Sequence, residues 1–149
     1  MKRLSSVFYM YFGAGASVFA VLCMFLPCVS VDGTIKQAAA CFWNSGAGNI
    51  QGAWMTFIGF MFVLVSALML FILALPFVQP TAKQEKVILI SSLCLLFIGG
   101  LLVTLLPVFY QILNPVKVSG IIPYPGLYIF LFLDLVSIAC SVMALKLDW

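Results

Sequence analysis

Four long apolar runs dominate the chain, and polar residues gather in short clusters between them. The runs cover about residues 7–26, 54–75, 87–106 and 126–145. Twenty residues of helix measure about 30 Å, the thickness of a bilayer's hydrocarbon core. No lysine or arginine falls inside any of the four. Pro76 and Pro80 follow the second run, and Pro107 ends or kinks the third, because proline removes a helical N–H and crowds the preceding turn. The pattern predicts an all-α membrane protein: one domain over residues 1–149, built as an antiparallel four-helix transmembrane bundle.

The connections differ in kind. The stretch after the second run, QPTAKQEK, is short and polar. The segments at 27–53 and 107–125 are longer and carry strand signals. Val29-Ser30-Val31, then Asp32-Gly33, then Thr34-Ile35-Lys36 reads as a β-hairpin, since Asp-Gly suits a type I′ turn. That register sets Val31 opposite Thr34 and Ser30 opposite Ile35. An isolated hairpin is marginal in water, so a third strand is expected, and Val116-Lys117-Val118 in the second long loop offers one. A small extracytoplasmic sheet joining both loops is the expected cap. The stretch after the hairpin, AAACFWNSGAGNIQGAW at 38–54, carries Asn, Ser and Gly and reads as an irregular segment leading into the second span.

Composition agrees with a membrane setting. The 149 residues are 65% hydrophobic and 7% charged, against about 25% charged in a soluble domain. A soluble fold of this length could not bury that much apolar surface. The net charge of +3 is too small and scattered to suggest nucleic acid. It carries topology instead. With both termini cytoplasmic, Lys2, Arg3, Lys83, Lys86 and Lys146 lie inside, and Lys36 and Lys117 outside, as the positive-inside rule prefers. Tyr9, Tyr11 and Trp149 then mark one interface, and Trp43, Trp54, Tyr124 and Tyr128 the other. The first run is too long for a signal h-region, and no small-x-small cleavage site follows it, so it reads as a retained span. The expected location is the cell membrane, multi-pass.

Catalytic chemistry has little to draw on. Histidine is absent, which removes Ser–His and Cys–His pairs, histidine zinc motifs and histidine haem ligation. Asp32, Glu85, Asp134 and Asp148 fall in four separate segments. No enzyme activity, cofactor or metal is expected, and the short cytoplasmic loop leaves no room for a soluble catalytic domain.

The one charge inside an apolar run is Asp134. A carboxylate at that depth costs about 2.5–3.5 kcal/mol on insertion scales and normally faces protein or water. Ser137 and Ser141 share its helical face at i+3 and i+7. Counting along each span places Ser17 or Val18, Phe62 and Ile98-Gly99-Gly100 at its depth. Gly99-Gly100 allows close helix approach, and Gly13 with Ser17 adds small-xxx-small spacing on the first span. Asp134, Ser137, Ser141, Gly99, Gly100 and Ser17 therefore form the candidate intramembrane polar site. The reading given most weight is a packing or assembly clasp bonded to serines and carbonyls. The alternative is an ion- or proton-binding position in a small-solute or ion transporter or channel that acts as an oligomer around Asp134.

Five cysteines complete the inventory: Cys23, Cys28, Cys41, Cys94 and Cys140. Cys28 and Cys41 flank the hairpin. Oxidised, they would close a loop of about 14 residues and add about 3 kcal/mol. A thiol–disulfide oxidoreductase is a further alternative, weakened by C-x4-C spacing where such enzymes use C-x-x-C.

Four spans with a larger, hairpin-bearing first outer loop resemble claudin-type tetraspans in architecture. The comparable segment here, CFWNSGAGNIQGAW, lacks the Trp-Gly-Leu-Trp and paired cysteines of that family, so no site residue is carried over. The expected function is a small non-enzymatic accessory or assembly subunit, lodged in the lipid bilayer, with a membrane-protein partner or further copies of itself.

Overall fold

The computed structural model describes residues 4–41, 54–113 and 120–147. It is mostly helical. Helix α1 (Leu4–Leu22) passes through a 3-10 turn into strand β1 (Pro27–Val31), strand β2 (Thr34–Gln37) and a short helix α2 (Ala38–Cys41). Helices α3 (Trp54–Ala74), α4 (Ala82–Thr104) and α5 (Leu106–Leu113), strand β3 (Ile121–Pro123) and helix α6 (Pro125–Leu147) follow. Four of these helices, counting the turn after α1 with it, are long and apolar enough to cross a membrane: Leu4–Phe25, Trp54–Ala74, Ala82–Thr104 and Pro125–Leu147.

Local chemistry sets the ends. Thr81 caps α4 in a capping box: its hydroxyl accepts from Gln84 N–H at 3.4 Å, and Gln84 Oε1 accepts from Thr81 N–H at 3.0 Å. At the other end α4 stops at Thr104 rather than at residue 106. Pro107 has no N–H to offer and crowds the carbonyl of Val103, so the chain kinks at Leu105. Helical bonding then resumes through Phe109 N–H to Leu105 O at 2.9 Å, and α5 rises beside the cap.

The four long helices form a ring in which α1 meets α3 and α6, and α4 meets α3 and α6, the α4–α6 contact being the slightest. Their outward faces stay apolar, with Phe8, Phe12, Phe19, Phe97 and Phe132 all more than half exposed. Side chains of that kind suit lipid, and a helix apolar on every side needs no polar face.

The cap is a three-stranded antiparallel sheet in the order β2-β1-β3. Val31 pairs with Thr34 and Ser30 with Ile35, the register expected of the hairpin. Asp32 (φ 48°) and Gly33 (φ 81°) take the left-handed conformations a type I′ turn requires. The third strand does come from the second long loop, at Ile121–Pro123, pairing Val31 with Ile121 and Val29 with Pro123. Val116-Lys117-Val118, the segment expected there, lies outside the described residues. Of the 38–54 stretch expected to be irregular, Ala38–Cys41 instead form helix α2, alanine being the strongest helix former, and 42–53 lie outside the described residues. Asp32 fastens the two loops twice: its N–H donates to Gly120 O at 3.1 Å, and its Oδ1 accepts from Gly120 N–H at 3.2 Å. Lys36 Nζ donates to Tyr110 Oη at 3.3 Å, tying β2 to α5. Gly126 admits α6 close to β1, where a Cβ would meet Pro27 O at 2.5 Å.

Candidate functional site

Two apolar clusters fill the bundle. One lies toward the cap and includes Ala20, Phe60, Val63, Leu96, Val103 and Phe130; Phe60 and Phe130 meet edge to face, 5.2 Å between centroids. The other lies toward the chain termini and includes Met10, Ala14, Leu70, Leu89 and Ala144. Between them every long helix buries serine. Ser17 on α1 sits between Ala14 and Ala20, Ser66 on α3 between Val63 and Leu70, and Ser92 on α4 between Leu89 and Leu96. Ser137 and Ser141 on α6 sit between Phe130 and Ala144. All five serines are fully buried.

These hydroxyls bond across helix seams. Ser17 Oγ and Ser137 Oγ lie 2.6 Å apart, and each is within reach of Gly13 O, at 3.0 and 2.9 Å. Two hydroxyl hydrogens serve three contacts, so one serine donates to Gly13 O and the other donates to that serine. Gly13 has no Cβ to hold the helices apart; one would meet Cys140 Cβ at 3.2 Å. Ser141 Oγ donates to Ser137 O at 3.0 Å within its own helix. On the opposite seam Ser66 Oγ and Ser92 Oγ are 2.6 Å apart. One helical heptad toward the cap on both helices, Gly59 and Gly99 meet backbone to backbone: a Cβ on either would lie 2.8 Å from the other's carbonyl oxygen.

Asp134 stands at the cap-side edge of this serine layer and is 2% exposed. Its Oδ2 rests on Gly100 of α4, in space that a Cβ at residue 100 would occupy. Its Oδ1 is buried with no hydrogen-bond partner among the described residues. The structure thus brings together Asp134 with Gly100, and Ser17 with Ser137. It separates two expected neighbours. Gly99 faces α3 instead of Asp134, because consecutive helical residues point about 100° apart. Nor do the serines bond the carboxylate; their hydrogens go to one another and to carbonyl oxygens. Ser17 lies level with Ser137, about 4.5 Å along α6 from Asp134. Gly59, Ser66, Ser92, the buried Thr56 and the buried Glu85 escaped the sequence reading. The heptad spacing of Gly59 with Ser66 and of Ser92 with Gly99 was the signal available for three of them.

The candidate disulfide is not formed. Cys28 and Cys41 are both free, buried thiols. Cys28 is the extra residue of a β-bulge in β1, and bulges re-aim side chains. Its Sγ turns back toward α1, 3.4 Å from Cys23 O. Burial pushes the Cys28 thiol up to about 11, with the Ala38 N–H opposing and Cys23 adding slightly. Burial likewise pushes Cys41 up to about 11, against the pull of Lys36. Thiols held neutral in this way are poor nucleophiles. Among the described residues no group of three His, Cys, Asp or Glu side chains is placed to hold a metal ion.

No family model, curated protein or solved structure matches the chain.

Proposed function

We propose that the chain crosses the cell membrane four times as an antiparallel bundle, termini in the cytoplasm and sheet outside, and serves as a non-enzymatic accessory or assembly subunit of a membrane-protein complex. The basic residues support that orientation: Lys83, Lys86 and Lys146 share the end of the bundle opposite Lys36. One observation carries the functional reading. Four of the five interior serines are spent on helix-to-helix bonds, Ser141 bonds within its own helix, and the layer is closed by apolar side chains above and below. A polar interior arranged this way holds spans together and gives a solute no route through one protomer. What remains for function is the outer cap and the lipid-facing helices.

The test is isolation in mild detergent followed by mass spectrometry. A stoichiometric membrane-protein partner supports the subunit reading. Recovery of this chain alone, as a homo-oligomer, transfers the weight to a channel. A second reading, ion or solute transport around Asp134, draws on the bare Oδ1, since a buried carboxylate oxygen without a donor is a natural cation ligand. Flux into liposomes that disappears in Asp134→Asn would establish it.

A further inference from the structure

A groove of about 460 Å³ opens on the lipid-facing side at the start of α4, lined by Pro80, Lys83, Gln84, Val87 and Ile88. Its chemistry is graded along the helix axis. Lys83 is exposed at the rim and has no ion-pair or hydrogen-bond partner among the described residues. Val87, one turn further along the same face, is 55% exposed, and Ile88 adjoins it. The polar atoms of Gln84 are partly committed to the cap of Thr81. A cation at the mouth and aliphatic walls running about 6 Å deeper match one occupant: charged at one end, hydrocarbon at the other.

Electrostatics selects the sign. Lys83 stands in the first turn of α4, where the helix dipole is already positive and a cation is disfavoured. Glu85, the acid of that turn, is buried at 8% exposure and turned from solvent. An anion at the rim relieves both the dipole and Lys83.

We propose that this groove binds an anionic phospholipid, its phosphate on Lys83 and an acyl chain along Val87 and Ile88. The proposal rests on the helices crossing a bilayer and is independent of the accessory role. The test is native mass spectrometry of the full chain released from micelles containing equal phosphatidylglycerol and phosphatidylcholine. Phosphatidylglycerol should be retained preferentially, and Lys83→Ala should lower that retention at least threefold while leaving phosphatidylcholine unchanged. Val87→Trp, which fills the groove without touching the charge, should do the same. Lys146→Ala, a lysine at the same end of the bundle, should change nothing, and excess inorganic phosphate should not displace the lipid. Equal loss in Lys146→Ala, or no loss in both Lys83→Ala and Val87→Trp, overturns the proposal. Release of the chain from membranes by carbonate without detergent would instead remove the bilayer premise, a separate failure.

Discussion

Asp134 Oδ2 occupies the space that a side chain on Gly100 would need. The α4–α6 seam, the slightest in the ring, is therefore shaped at its centre by one carboxylate and one missing methyl group. Gly100→Ala should force the two helices apart and destabilise the fold by about 1–3 kcal/mol, the usual cost of overpacking. Combining it with Asp134→Ala should recover part of that loss, because the second change removes the obstructing oxygen. Thermal unfolding of the two single variants and the double variant in detergent gives the coupling directly; strict additivity would show that the contact is not made.

Ser17 and Ser137 should not be equivalent. Without Ser17, Ser137 still donates across the seam to Gly13 O. Without Ser137, Ser17 falls back on the carbonyl of its own helix at i−4, and no hydroxyl bond joins α1 to α6 at this level. Interhelical hydrogen bonds in membranes average about 0.6 kcal/mol. Ser137→Ala should cost about that much more than Ser17→Ala, and equal losses in a chemical-denaturation comparison would contradict the bonding pattern.

The hairpin turn offers a backbone test. Gly33 at φ 81° has open space around it, so Gly33→Ala meets no neighbour and suffers only from its conformation. The left-handed region costs a residue with a Cβ about 1–2 kcal/mol, and the melting temperature should fall accordingly. Asp32→Asn should be tolerated, since its carbonyl oxygen can still accept from Gly120 N–H, whereas Asp32→Ala loses that bond.

Cys28 and Cys41 predict a pH dependence. Both thiols ionise near 11 in the fold, above their ordinary value of 9.0. The folded chain then holds protons that the unfolded chain has released, so stability is complete below about pH 9 and declines as pH rises toward 11. Replacing both cysteines with alanine should flatten that decline between pH 9 and 11. At pH 8 neither thiol should react with an aqueous maleimide until the protein is denatured.

The hairpin register and the approximate spans were legible in the sequence because Asp-Gly, the long apolar runs and Pro76, Pro80 and Pro107 act locally. The third strand was legible only in origin: Ile121–Pro123 is as short as 116–118, and nothing local ranks one above the other. The polar site was legible in depth but not in rotation. Asp134, Ser17 and Ser137 could be placed by counting 1.5 Å per residue, yet which helix Gly99 or Gly100 faces depends on the angle of α4 about its axis. Soluble helices reveal that angle through a polar stripe. These helices are apolar all round, so small residues are the only guide, and Gly59, Ser66 and Ser92 were passed over.

The ring of helices also imposes an order in time. Helix α6 is synthesised after α1, α3 and α4, and it supplies the partner for Gly13 and Ser17 on α1. Strand β3, made just before it, completes the sheet begun by β1. Until those residues emerge, a nascent chain carries Ser17 on α1 with no α6 hydroxyl to meet it and a cap lacking its third strand. Halting synthesis before residue 121 leaves Ser17 without Ser137 and β1 without β3, two unfilled edges at once.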